Sequence, residues 1–364
     1  MNRFRQFLAR KGVIVSFKRY GVDALGAMAQ GLFCTLLVGT ILNTLGQQFH
    51  IAFLNDPFIT VGTASYTIGG AASAMVGPGI AVAVGAALLS PPLVLLSLIP
   101  VGYGANALAG AGGPLAVYLV TILAAELGKM VSRETKVDIL VTPCVTILAG
   151  LLFARLVAAP IGSAAQAVGH AIMWATELQP FFMGVIVSAL IGIALTLPIS
   201  SAAICAAFGL TGLAGGAAVA GCCAQMIGFA VMSFKENRWG GLVAQGVGTS
   251  MLQMPNIIKN PKIWIPPTLA SMITGPIATC VFGLQMNGAP VSSGMGTCGF
   301  VGQIGVYTGW LADIAAGAKA AITPMDWLGL ILICFVLPAV LSVFFCEILR
   351  KLGWIKAGDL TLDL

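Results

Sequence analysis

Nine apolar runs dominate this chain, at about 24–46, 60–80, 82–103, 113–131, 139–160, 181–198, 214–234, 264–284 and 326–349. Each comes near the ~20 residues that a helix needs to cross a ~30 Å hydrocarbon core. A soluble domain carries roughly 25% charged residues, whereas here 8% of residues are charged and 58% are hydrophobic. The chain therefore reads as an all-α polytopic membrane protein embedded in the lipid bilayer. About 9–10 transmembrane helices are expected, plus re-entrant hairpins where the runs are too short or too broken to span. Its 46 glycines fit the small-residue contacts by which membrane helices approach one another.

Several functional classes fall away on composition. The nine cysteines lie almost entirely in apolar runs, none forms a C-x-x-C pair, and there are only two histidines, His50 and His170. No metal site, redox site or cofactor is expected, and the thiols read as small buried hydrophobes. The formal charge of +6 comes from basic turns, with six of the 18 Lys and Arg residues before position 20. This is the footprint of an anionic membrane face, and no nucleic acid partner is expected.

Those basic turns orient the chain. Residues 1–22 carry Arg3, Arg5, Arg10, Lys11, Lys18 and Arg19 beside Phe4, Phe7 and Leu8, as in a cytoplasmic amphipathic arm on the membrane surface. Further clusters are Lys129, Arg133 and Lys136; Lys235 and Arg238; Lys259 and Lys262; and Arg350, Lys351 and Lys356. Putting all of them in the cytoplasm with the N-terminus requires an extra crossing or re-entry between residues 138 and 235, for which 199–213 is the natural choice. It also requires 240–255 to leave and return. Sixteen residues make a helix of only ~24 Å, so a re-entrant hairpin is expected there. Glu126, Lys129 and Arg133 read as a solvated cap of a helix pair, Arg155 as a snorkelling side chain near the outer end of its run, and 162–178 with Glu177 as an interfacial helix.

The polar residues that stand out sit on broken segments. Pro198 ends a helix before Ser200 and Ser201. Gly-Thr-Ser-Met-Leu-Gln-Met-Pro-Asn (248–256) carries Thr249, Ser250, Gln253 and Asn256. Gly-Ala-Pro-Val-Ser-Ser-Gly-Met-Gly-Thr-Cys-Gly-Phe-Val-Gly-Gln (288–303) carries Ser292, Ser293, Gly294, Gly296, Thr297 and Gln303. Gln225, inside the run 214–234, is counted with them. In a membrane, non-helical backbone survives where it is buried in protein or lines a polar cavity, and transporters place solutes at such breaks. Hydroxyls and carboxamides both donate and accept, which suits a polyhydroxylated solute. The alternative is that these groups satisfy the backbone freed by Gly and Pro. No acidic residue lies between Asn237 and Tyr307, which argues against a carboxylate ion or proton site in that stretch.

Residues 248–261, Ile-Pro-Pro-Thr-Leu-Ala-Ser (265–271) and Gly-Met-Gly-Thr-Cys-Gly-Phe-Val-Gly-Gln-Ile-Gly (294–305) together resemble the EIIC-like membrane components of the bacterial sugar phosphotransferase system. Within these, the likeness is to the branch named after the perfringolysin O regulator, PfoR. The resemblance implies a homodimer in the inner membrane. A scaffold and dimerisation bundle (23–160), an interfacial linker helix (161–180), a transport bundle with re-entrant hairpins (181–350) and a cytoplasmic tail (351–364) are implied as well. The solute would sit on the hairpins and cross by an elevator-like displacement. Two departures matter. The hairpins here lack the glutamate by which better-known sugar EIIC proteins hold their solute, and the chain lacks both the cysteine segment of EIIB and the histidine domain of EIIA. It is thus expected to be a transport component with no catalytic residue of its own, and separate EIIA and EIIB proteins would supply any phosphorylation. A membrane sensor or regulator and an ion-coupled permease are the competing readings.

Overall fold

The computed structural model describes residues 3–362. Residues 1 and 2 of the arm, residues 363 and 364 of the tail, and the side chains of Arg3, Phe4, Arg5 and Gln48 lie outside the described set. The described chain is nearly all helical, and its only strands form a two-stranded hairpin, Ile59–Val61 with Ala64–Tyr66. Among the described residues, five helices are long and apolar enough to cross a membrane, or six if a bent pair at Ile68–Ala74 and Val76–Ala87 counts as one span. The protein is an all-α polytopic membrane protein whose apolar sequence is cut into more and shorter pieces than its hydropathy suggests.

The cuts have local causes. The run at 60–80 starts as the strand hairpin, and its helix begins only at Ile68, where the Thr67 side chain accepts from the Gly70 N–H. The run at 82–103 breaks at residues 89–91, because Pro91 and Pro92 cannot continue a helix from the preceding turn; Leu89 there adopts φ 52°. The run at 181–198 is a single helix of 17 residues, Pro180–Thr196. The run at 264–284 is Ile265–Pro276, continued by one wide turn at Ile277–Val281. The expected stop near residue 160 is absent, since Asp138–Thr176 is continuous over 39 residues and tolerates Pro143 and Pro160.

The chain forms two compact units, residues 1–43 with 52–164, and residues 44–51 with 165–364. In the first, helices Val76–Ala87, Pro92–Ala109 and Gly113–Val131 pack together with Leu25–Leu32. A Cβ on Gly31 would stand 2.7 Å from the Gly79 carbonyl, so this crossing exists only because the residue is glycine. The cap at 126–138 is not the solvated pairing expected. Lys129 is 2% exposed, pairs with Glu126 at 2.7 Å and donates to the Leu88 carbonyl at 3.1 Å. The exposed part of the turn holds the N-terminal arm, with Arg10 3.0 Å from Glu134 and Lys11 on the same carboxylate. The Lys11 hydrogen bond is the main reason that this carboxyl sits below its ordinary pKa.

The second unit is built around the helix Gly212–Met232, of which nearly every residue is buried. Pro180–Thr196, Ile265–Pro276 and Leu337–Lys351 pack on it. One apolar core joins Val219 and Cys223 to Met286, Trp310 and Ile333, and another joins Phe229 to Ile257, Ile263, Ile355 and Leu360.

Candidate functional site

Three broken segments of the second unit, with Gln225 on its central helix, carry the residues singled out from sequence, and these divide into three groups of contacts. The first group joins two hairpins. After Thr196 the chain turns extended through Pro198, and Ser200 starts the short helix Ser201–Ala207 by accepting from the Ala203 N–H at 3.1 Å. The other hairpin leaves Met286, which exchanges two backbone hydrogen bonds with Gly212 (3.0 and 2.9 Å). It passes through Pro290–Gly294 and returns as the helix Val301–Ala315. Ser201 Oγ donates to the Gly294 carbonyl at 2.8 Å, and Ser293 Oγ donates to the Leu210 carbonyl at 2.6 Å. The two hairpins are thereby tied to each other.

Glycine is required at this junction. A Cβ on Gly294 would stand 2.6 Å from the Ser201 carbonyl oxygen, and one on Gly296 would stand 2.6 Å from Cys222 Cβ. Gly296 also has φ +54°, a backbone region that side chains disfavour. Behind the turn, Thr297 Oγ1 contacts Met226 Sδ at 3.6 Å and Gln303 Nε2 contacts Cys223 Sγ at 3.2 Å. Ser292 is buried beside Gly305. Gln303 Oε1 is buried with no partner among the described residues, an acceptor left over where unmet acceptors are costly.

The second group is a network with no exposed surface at Thr196, Gln225 and Ser250. Thr196 Oγ1 lies 2.8 Å from Ser250 Oγ and 3.3 Å from Gln225 Oε1. Gln225 Oε1 also accepts from Trp264 Nε1 at 3.0 Å, and its Nε2 donates to Thr268 Oγ1 at 3.2 Å. This group joins the foot of the first hairpin to the 244–253 segment across the central helix. Thr249 serves that segment locally by accepting from the Met251 N–H.

Gln253 and Asn256 belong to a third group, away from the hairpin junction. Gln253 Nε2 donates to Gln245 Oε1 at 2.9 Å and to the Leu360 carbonyl at 3.0 Å. Asn256 Nδ2 donates to Gln253 Oε1 at 2.9 Å and to the Thr361 carbonyl at 2.7 Å. Asn237 holds the same tail segment, donating to the Leu360 carbonyl at 2.7 Å and accepting from the Leu362 N–H at 2.8 Å. These carboxamides grip the main chain of the C-terminal tail, whose Leu360 is fully buried. Sequence reading missed Thr196, Gln245, Trp264, Thr268 and the tail. The one signal was the pair of apolar residues, Ile355 and Leu360, in a segment that looked like a free tail.

The hairpin junction and the Gln225 network contain hydroxyls, carboxamides, an indole and backbone carbonyls, and no charged side chain. Such a set can exchange hydrogen bonds with a solute that both donates and accepts. Among the described residues no group of three or more His, Cys, Asp or Glu side chains could hold a metal ion.

Comparison with known proteins bears on what this arrangement is for. Searches of curated proteins and of solved structures return no match. Residues 22–362 match the family PTS_EIIC_2, described as Phosphotransferase system, EIIC. With nearly the whole of a many-helix membrane chain covered, this protein belongs to the EIIC family of the phosphotransferase system.

Proposed function

We propose that the second unit is the transport bundle of an EIIC carrier for a small hydroxylated solute, a sugar or sugar derivative. Membership of the family makes the protein a multi-pass membrane transport component of a phosphotransferase system. On the finer reading, the first unit is the scaffold of a homodimer in the inner membrane, with its N-terminus in the cytoplasm. The transport bundle carries the solute by an elevator-like displacement, and separate EIIA and EIIB proteins supply any phosphorylation.

The observation that carries this reading is the tie between two broken segments at Ser201 and Gly294, beside the buried Thr196–Gln225–Ser250 network. Neutral groups that both donate and accept match hydroxyls, and a helix break is where a membrane carrier can offer backbone to a solute. The absence of charge in that set favours a neutral polyhydroxylated molecule over an ion. A thermal-shift screen of purified protein against neutral sugars, polyols and sugar acids tests it. A ligand at 100 times its Kd stabilises by about 2.7 kcal/mol. A neutral sugar or polyol should raise the melting temperature of the wild type and raise it clearly less in folded Gln225→Ala. The reading falls if no neutral member of the panel stabilises the protein, or if Gln225→Ala keeps the full shift.

A further inference from the structure

Away from the hairpin junction, the second unit encloses a cavity of about 280 Å³. It lies between residues 282–287, the end of the helix Val301–Ala315, and the loop that leads to the helix Pro324–Ile331. That volume lies just below the ~300–1,000 Å³ range of small-molecule pockets, enough for one solute of monosaccharide size. Its apolar wall includes Trp310, which is 3% exposed and braced edge-to-face by Trp327 at 5.5 Å.

The charged lining residues are not equivalent. Lys319 Nζ lies 2.9 Å from Asp326 Oδ1, while Asp326 Oδ2 accepts from the Thr323 N–H (2.7 Å) and hydroxyl (2.8 Å). This pair neutralises itself and caps the helix that starts at Pro324. Asp313 has no cation partner among the described residues. Among the described residues its carboxylate accepts only from Asn287 Nδ2, at 3.0 and 2.9 Å. A carboxylate offers about four acceptor positions, so most of its capacity is left for an occupant. Asn287 also donates to Gln285 Oε1 at 3.1 Å, which leaves its own carbonyl oxygen as a further acceptor. The cavity is thus rich in acceptors, carries one net negative charge and is backed by an indole. A divalent cation would demand six or more oxygen ligands for calcium, or a near-ideal octahedron for magnesium, and one free carboxylate beside a lysine does not supply either.

We propose that this cavity binds a neutral monosaccharide-sized polyol, with two neighbouring hydroxyls donating to the Asp313 carboxylate. The proposal rests on the reading of the protein as a carrier of hydroxylated solutes and adds a second binding station to it. Asn287 lies at the base of the hairpin whose turn includes Gly294, so an occupant here contacts the base of the element whose turn meets Ser201.

The test uses full-length protein in detergent, titrated by calorimetry with D-glucose, D-galactose, D-mannitol and galactitol as neutral probes and D-gluconate as the anionic one. At least one neutral probe should bind saturably, Asp313→Asn should weaken it tenfold or more, and gluconate should not compete. Should Asp313→Asn fail to fold, Gln285→Lys at the exposed rim, which supplies the missing counter-charge, should weaken binding by the same order. Neutral binding that survives both changes but is lost in Gln225→Ala overturns this site and leaves the carrier reading standing. Loss in Asp313→Asn with none in Gln225→Ala upholds this site and removes the hairpin-junction site. No binding by any neutral probe, or stronger binding of gluconate, overturns the ligand class here.

Discussion

The Gln225 network and the Gln253–Asn256 ladder are made of the same chemistry, buried carboxamides and hydroxyls on or beside broken helices, yet they are satisfied by different things. Gln225 is met by side chains from two packed helices and the turn before the second, with Thr196, Trp264 and Thr268 as its partners. Gln253 and Asn256 are met by the main-chain carbonyls of Leu360 and Thr361. A side chain that reaches another side chain can change partners when a solute arrives. One that holds a peptide carbonyl fixes a segment of chain. Local sequence discloses which residues can hydrogen-bond at depth, and the partner decides whether they make a site or a clasp.

The largest effect is expected where neither kind of exchange can compensate. Gly296→Val places a branched side chain at φ +54° and 2.6 Å from Cys222 Cβ. A left-handed residue costs about 1–2 kcal/mol and overpacking typically about 1–3 kcal/mol more. The hairpin should be displaced, and Cys298, 1% exposed in the native fold, should become reactive to thiol reagents in protein whose exposed Cys34, Cys144 and Cys280 have been replaced. An unreactive Cys298 together with an unchanged melting temperature would show that the turn is not packed as described.

Next come two carboxamide truncations that should part company. Gln225→Ala leaves the Trp264 indole N–H without its acceptor and takes one donor from Thr268 Oγ1, and an unmet buried group costs about 1–3 kcal/mol. Its main readout should be lost solute binding. Asn256→Ala should cost a similar amount, because Gln253 Oε1 and the Thr361 carbonyl lose a donor, but its readout is different. Limited proteolysis within 354–362 should speed up tenfold or more while solute affinity stays within threefold. If Asn256→Ala abolishes binding and leaves the tail protected, the division between site and clasp is wrong.

Much of this could be anticipated from residue order, and the failures are instructive. Breaks at Pro198 and across Gly294–Gly299 were legible because Pro and Gly act on the backbone locally. The strand hairpin at 59–66 was not, since Ile-Thr-Val and Ala-Ser-Tyr are apolar enough to merge with the run that follows them. The clasp was invisible for another reason: Asn256 and Thr361 are 105 positions apart, and no local pattern links them. Lys129 was misjudged likewise. Its burial depends on the Leu88 carbonyl, which the proline break at residues 89–91 turns toward it.

The smallest effect belongs to Ser200, which has two possible jobs that one pair of variants can separate. Its side chain accepts from the Ala203 N–H and so caps the helix Ser201–Ala207. Removing such a cap costs about 0.5–2 kcal/mol, whereas asparagine is as good a cap as serine. Ser200→Ala should therefore lower the melting temperature modestly, and Ser200→Asn should restore it. If capping is the whole role, solute affinity follows stability and returns in the asparagine variant. If the hydroxyl also meets the solute, Ser200→Asn will melt like the wild type yet bind several-fold more weakly. That outcome would move Ser200 from the framework of the hairpin to the solute site, and would place the solute at the end of the first hairpin, next to the Gly294 carbonyl that Ser201 holds.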